Sequence, residues 1–238
     1  YKNKIFLISL IVFISIFLTG ERANSIRALV AIFLFYIFFR EYQFKKKLIV
    51  IFSAIVCIIF AILNSEYLSK RYIGQIIDYD GKNKKFAYEI YFNLYGSGYE
   101  IFKNYPFFGV GNKNYRVLTC PWKTQPNLDS SELNKHNSRY VCNSHPHQVY
   151  FEFISEHGIF GSIFLLFIMF KLIFSNFIFR LKHFNYTQLG SGIYLILIFL
   201  PLIPSGAFFS DYLITIFVIN LGIFYASNSK FNIFSKKI

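Results

Sequence analysis

The sequence predicts an all-α polytopic membrane protein, with about six transmembrane helices and one large, partly helical periplasmic loop. Three observations predict it. Hydrophobic residues make up 55% of the 238 residues, with 32 Phe among them, more than a chain of this length wraps into a water-soluble core. Several runs approach the roughly 20 apolar residues that cross a bilayer. Lys and Arg gather at alternate connections between those runs, the pattern that orients membrane helices.

The apolar runs lie at residues 5–18, 22–39, 48–63, 150–179, 190–204 and 212–226. The first lacks a small-residue cleavage site in a chain that opens at Tyr1, so it reads as a span of a truncated chain and not as a signal peptide. If the chain alternates, Lys2 and Lys4, then Arg40, Lys45, Lys46 and Lys47, then Arg180 and Lys182, then Lys230, Lys236 and Lys237 share one face. The positive-inside rule makes that face cytoplasmic and leaves residues 19–21, 64–149 and 205–211 on the periplasmic side. The net charge of +13 is therefore mostly a topology signal. Nucleic acid is a poor explanation for it, because no Arg-rich stripe accompanies a soluble fold. The organisation is three helices in 1–63, a periplasmic loop domain in 64–149, three helices in 150–226 and a cytoplasmic tail in 227–238.

The long insert holds most of the acidic residues and two of the three cysteines. Residues 65–85 are polar, with a turn at Asp80-Gly81, and residues 86–103 read as a helix interrupted at Gly96-Ser97-Gly98 and stopped by Pro106. Gly109 and Gly111 follow, spaced as in a tight turn. Beside Arg116, such a turn also suits an anion held on backbone amides. Cys120 and Cys142 share the exported insert, where an oxidising compartment allows them to pair or leaves two thiols. With the histidines nearby they fit no structural zinc spacing. Cys57, alone within an apolar run, reads as filler.

The stretch 144–161, SHPHQVYFEFISEHGIFG, places two histidines at the mouth of the fourth span. Pro146 suits a first helical turn and Ser144 an N-cap, with a continuous helix expected from Gln148 through Phe170. His147 is the candidate base, since a neutral imidazole takes a proton near neutral pH and a helix start disfavours its charged form. His145 orients the substrate or His147, or is structural. His136, His157 and His183 have weaker claims, with His157 expected at the interface and without chemistry. Glu152 and Glu156 lie one turn apart on the same helix, placed to bond Arg or His across a site. Asp211, in the last outer turn, is placed to pair with an arginine.

Arg22 and Arg27 are costly inside apolar sequence and mark a cavity, a partner or the interface. Five positions set them about 140° apart on one helix, so one faces a site while the other snorkels, or both anchor the span end.

These residues also carry a resemblance. The chain is similar to the C-terminal half of the O-antigen ligase and polymerase family over roughly residues 19–170. Thr19, Gly20, Glu21 and Arg22 resemble the family's opening of a span, with Glu21 in place of a small residue and Ile26 in place of Leu. Pro106, Gly109 and Gly111 match its Pro-x-x-Gly-x-Gly turn. His147 and Gln148, nine residues, then Gly158 and Gly161 match its strongest signature.

The resemblance implies a GT-C-like inner-membrane glycosyltransferase of lipopolysaccharide biosynthesis, its active site facing the periplasm. It implies a polyprenyl-diphosphate-linked glycan donor, a lipid A core or glycan acceptor, and transfer without metal or other cofactor. His147 then deprotonates the acceptor hydroxyl while Arg22, with Arg27 or Arg116, holds the leaving diphosphate. Single displacement inverts the anomeric centre. His145, Glu152, Gly109 and Gly111 support the site. Ligase, polymerase and protein O-oligosaccharyltransferase share these features. A lipid-linked sugar transporter is the non-enzymatic alternative, which broken helices in both halves would favour, and a paired-carboxylate hydrolase is disfavoured because nothing else marks such a site.

Overall fold

The computed structural model describes residues 2–38, 44–74, 89–121, 139–174 and 185–227. Arg40, the Asp80-Gly81 turn, His136, Arg180, Lys182, His183, Lys230, Lys236 and Lys237 lie outside the described residues. The described residues hold helices and turns and no strand. They divide into two compact units, Tyr1–Tyr88 and Glu89–Ile238.

In the first unit, α1 (Lys2–Leu18) and α2 (Arg22–Phe38) form a hairpin, and α3 (Phe44–Asn64) leads into the short α4 (Glu66–Ser69), which continues as a π-turn, Lys70–Gly74. The hairpin turns at Gly20, whose φ of +72° favours glycine and whose Cβ, if present, would stand 2.9 Å from the Tyr67 hydroxyl. Tyr67 donates to Thr19 O at 3.0 Å, and Tyr72 donates to Phe17 O at 2.8 Å while its hydroxyl also bonds Ser25 Oγ at 2.7 Å. Residues 65–74, expected to be merely polar, are therefore helical. Ser65 accepts from Leu68 N and caps the first turn, and the tyrosines fasten it to the α1–α2 turn.

The second unit contains α5 (Glu89–Asn104), α6 (Tyr115–Thr119), α7 (Val149–Met169, continued by a π-turn at Phe170–Phe174), α8 (Tyr186–Ile198) and α9 (Asp211–Ala226). Contrary to expectation, α5 runs unbroken through Gly96-Ser97-Gly98. Those small residues serve packing. A Cβ on Gly98 would lie 3.2 Å from Pro146 and Phe151 side chains, and buried Ser97 accepts from Tyr115 Oη at 3.0 Å. Tyr95 stacks on Phe151 at 5.1 Å between ring centroids. α8 and α9 form a hairpin closed at its open end by Gln188 Nε2 donating to Phe224 O at 2.9 Å. Phe153, Phe199, Phe208 and Phe217 are buried together beneath the site.

Helices stand at all six positions where apolar runs occur. Among the described residues, Val149–Phe174 is long and apolar enough to cross a bilayer. A second candidate, Phe52–Asn64 with Glu66–Gly74, is bent by 103° between its parts. α8 begins earlier than the fifth run and ends at Ile198, leaving Pro201 and Pro204 in an irregular loop.

Candidate functional site

The site is built around a break in α7. Gly158 has φ +62° and ψ −168°, a conformation open essentially to glycine alone, so the helix expected to run continuously is two pieces, 149–157 and 159–169. A break leaves N–H and C=O groups without helical partners, and the loop after α5 supplies them. Val110 N donates to Ser155 O at 3.0 Å and Gly111 N to Glu156 O at 2.8 Å, satisfying the end of the first piece. Ile159 N donates to Pro106 O at 2.8 Å and Phe160 N to Phe107 O at 3.3 Å, satisfying the start of the second.

The close approach explains both glycines. A Cβ on Gly109, at φ +67°, would lie 2.4 Å from the Glu156 carbonyl carbon, and one on Gly158 would lie 2.4 Å from that of Phe107. The two glycine motifs are thus halves of one interlock. This corrects the anion-facing reading of Gly109 and Gly111: the amides of Gly109, Val110 and Gly111 are all bonded to backbone carbonyls.

The anion on the amides just beyond is the chain's own. Glu156 Oε2 accepts from Lys113 N at 2.8 Å and its Oε1 from Tyr115 N at 3.3 Å. Asn114, the N-cap of α6, makes no side-chain cap bond, so Glu156 serves α6 from another helix. One turn earlier, Glu152 Oε2 accepts from Phe208 N at 2.8 Å and Oε1 from Phe209 N at 3.4 Å. Both carboxylates are buried. The expectation that they bond Arg or His across the site is corrected: they bond backbone amides instead and hold the loops at 112–116 and 205–209 against α7.

Between those loops lies a cleft of about 400 Å³, lined by Lys113, Arg116, Ser144, His145, Glu152, Glu156, Ala207, Phe209, Ser210 and Asp211. Lys113 Nζ faces Asp211 Oδ1 at 3.6 Å, so Asp211 pairs with a lysine and not with the arginine expected. Arg116 is exposed at the cleft and makes no ion pair among the described residues.

The histidine loop is also corrected. Pro146 does not open α7. Gln148 is the N-cap, its side-chain oxygen accepting from Tyr150 N at 2.8 Å and Phe151 N at 3.3 Å, and Ser144 lies upstream with its hydroxyl 2.9 Å from His145 Nδ1. His147 adopts φ +57°, which folds the chain so that the two imidazoles meet at 4.1 Å. Ser205 N donates to His147 O at 2.8 Å, and His145 Nε2 stands 3.2 Å from Ser205 O. A carbonyl only accepts, so His145 carries its proton on Nε2 and presents the Nδ1 lone pair to the Ser144 hydroxyl. His147 packs edge-on against Tyr91 at 6.0 Å and is not among the residues lining the cleft.

Burial, reinforced by the neighbouring His147 and opposed by the Ser205 carbonyl, brings His145 down from 6.5 to about 4. Burial likewise lowers His147. Neutrality of the pair therefore comes from desolvation, and not from the helix start that the sequence suggests. Upstream, Cys120 and Cys142 are joined in a disulfide across 22 positions, and Thr119 Oγ1 lies 3.2 Å from Asn143 O, fastening the end of α6 to the histidine loop. With both sulfurs so used, no thiolate joins the histidines as a metal ligand.

Arg22 and Arg27 belong to the first unit. Arg22 is the first residue of α2, and Arg27 Nη1 donates to Asn24 Oδ1 at 3.4 Å. Both are half-buried. His157, on α7, packs edge-on to Phe209 at 5.0 Å. Sequence reasoning misses Lys113, the Ser205 carbonyl and Phe209. A lysine between Asn112 and Asn114 is a usable signal for the first, whereas a backbone carbonyl leaves none.

Residues 7–166, about two thirds of the chain, match the family model described as O-antigen ligase. No curated protein and no solved structure matches the chain. The matched segment contains the Gly109–Gly158 interlock, Arg116 and both histidines.

Proposed function

The chain belongs to the O-antigen ligase family, and we propose that it transfers a glycan from a polyprenyl diphosphate to an acceptor hydroxyl at this cleft, most simply to lipid A core. The observation that carries the reading is one cleft lined both by neutral His145 and by the exposed cation Arg116. A neutral imidazole takes the acceptor proton, and a guanidinium matches the oxygens of a departing diphosphate. The acceptor oxygen attacks the anomeric carbon, its proton passes to the imidazole, and the bond to diphosphate breaks with the electron pair leaving on phosphate. One displacement inverts the anomeric centre.

The family resemblance makes His147 the candidate base, since His147, Gly158 and Gly161 match the family's signature. The cleft favours a second assignment, with His145 as the group that meets the acceptor and His147 behind it. Arg22 and Arg27 keep the diphosphate roles that family resemblance gives them. The chain is proposed to cross the inner membrane six times, at the six apolar runs, with the loop domain in the periplasm.

The test is transfer by the full-length protein in lipid, with a polyprenyl-diphosphate glycan donor and lipid A core acceptor. Native protein is compared with His145→Ala, His147→Ala and Arg22→Ala. Loss of transfer in folded His147→Ala with His145→Ala active makes His147 the base, and the reverse pattern makes it His145. Full activity in both histidine variants overturns the mechanism. Growth of the donor glycan in place of core modification makes the protein a polymerase. Glycan on a protein hydroxyl makes it an oligosaccharyltransferase, and movement of donor across the bilayer without transfer makes it a transporter.

A further inference from the structure

The loop that fills the α7 break carries two phenylalanines that the fold holds outward. Phe107 is 60% and Phe108 77% exposed, and the backbone on either side of the tip is tied down: Pro106 O and Phe107 O accept from Ile159 and Phe160, and Gly109 N donates to Tyr105 O at 3.1 Å. A loop pinned this way holds its aromatic tip at the surface. The tip is also not isolated. Phe107 and Phe108 lie 6.0 and 5.7 Å, ring to ring, from Phe160, itself 57% exposed on the first turn of the second piece of α7.

From there an exposed stripe continues through Ile163, Phe164, Phe167 and Phe170, at the 3–4 spacing of one helix face. An exposed apolar stripe of this kind suits hydrocarbon or a protein partner better than water, and the helix is long and apolar enough to cross a bilayer. The residues leading into the tip are graded in the order of a membrane boundary, with Lys103 half-exposed and extended over the Tyr99 ring, then Tyr105 46% exposed, then the two phenylalanines. Lysine and tyrosine at the headgroups with phenylalanine below is how chains mark that boundary.

We infer that the Phe107–Phe108 tip inserts into the bilayer leaflet on the cleft side, as an anchor continuous with the lipid-facing stripe of α7. Bilayer lipid is the occupant because the tip extends that stripe, and the same loop, through Gly111 N donating to Glu156 O, ties the tip to a residue that lines the cleft. The anchor sets the depth of the cleft relative to the headgroups. This inference rests on the membrane setting and not on the transfer reaction, so either stands if the other fails.

The test places Trp at the tip, as Phe108→Trp in a background where Trp122 and any other Trp of the full-length protein are replaced by Phe, reconstituted into phosphatidylethanolamine and phosphatidylglycerol vesicles. The vesicles are doped with phosphatidylcholine brominated either near the headgroup or near the bilayer centre. Insertion gives blue-shifted emission, a larger loss with headgroup-proximal bromine than with deep bromine, and little loss to aqueous iodide. Strong iodide quenching with no loss to either bromolipid puts the tip in water and overturns the inference. Protection from both quenchers means that protein covers the tip, a second copy for example, and also overturns it. Protection from bromolipid that appears only when polyprenyl-diphosphate donor is added makes the tip a donor contact and overturns the lipid anchor as well.

Discussion

The two pieces of α7 differ in what they bury and what they present. Residues 149–157 bury Glu152, Ser155 and Glu156, each with hydrogen-bond partners, whereas residues 159–169 carry an exposed apolar stripe. One helix thus presents two kinds of surface, and Gly158 is the boundary between them. Charged groups placed in an apolar run are tolerated only where protein satisfies them, and the break lets the chain bring two loops to those carboxylates. The cleft is the space those loops enclose.

The largest expected effect comes from removing the boundary. Gly158→Ala places a methyl group inside the 2.4 Å approach to Phe107 at a positive φ, and is expected to cost more than about 4 kcal/mol. Thermal unfolding in detergent measures it. The control is Gly190→Ala in α8, where nothing lies within 4 Å of the added Cβ, expected to be neutral or to stabilise by up to about 1 kcal/mol. Equal behaviour of the two variants would erase the distinction between the pieces.

Within the first piece, Glu152→Ala strands the Phe208 and Phe209 amides and is expected to cost about 2–4 kcal/mol. Glu152→Gln keeps an oxygen for Phe208 N and should recover roughly half of that. A glutamine as damaging as the alanine would mean that charge, and not the acceptor oxygen, holds the loop. The readout is again unfolding, joined by hydrogen exchange of the peptide bearing Phe208.

The histidine loop adds a pH dependence. His145 titrates near 4 in the folded chain against an ordinary 6.5, so the unfolded loop binds the proton more tightly. Its contribution to stability is complete above about pH 6.5 and is lost as pH falls toward about 4. Hydrogen-exchange protection of the Ser205 amide, which donates to His147 O, should decline across that window. Protection constant between pH 7 and about 4 would contradict it.

The smallest effects belong to exposed groups. Lys113→Ala, which breaks an exposed pair with Asp211, is expected to move Tm by less than about 1 °C, and so is Phe164→Ala on the stripe. A large loss at Phe164 in detergent would show that the stripe is packed against protein.

Much of this architecture is legible in the sequence. Apolar runs mark the helix positions, because length and hydropathy are summed over many residues and survive local error. Spacing singles out Gly109 and Gly111, the helix mouth singles out His147, and the family resemblance adds Gly158. What spacing does not disclose is that two of those glycines face each other, since a glycine within an apolar helical run reads as tolerated until the partner backbone is in view. The cap differs for a related reason. Ser144 has the better intrinsic preference, yet the side-chain oxygen of Gln148 reaches the first amides because the positive φ of His147 bends the chain just before it. Sequence patterning sends Glu152 and Glu156 towards charged partners, whereas backbone amides, which have no sequence signature, reach them first.

Binding of the donor diphosphate through Arg116, in the cleft held by the first piece of α7, is the point on which the proposed function turns. The most direct measurement is the affinity of the full-length protein in lipid for a polyprenyl-diphosphate glycan, native against Arg116→Ala, with unfolding confirmed unchanged. Loss of one charge-assisted contact to phosphate predicts affinity weaker by about tenfold or more. Equal affinity in the two proteins would place the donor elsewhere and contradict that role.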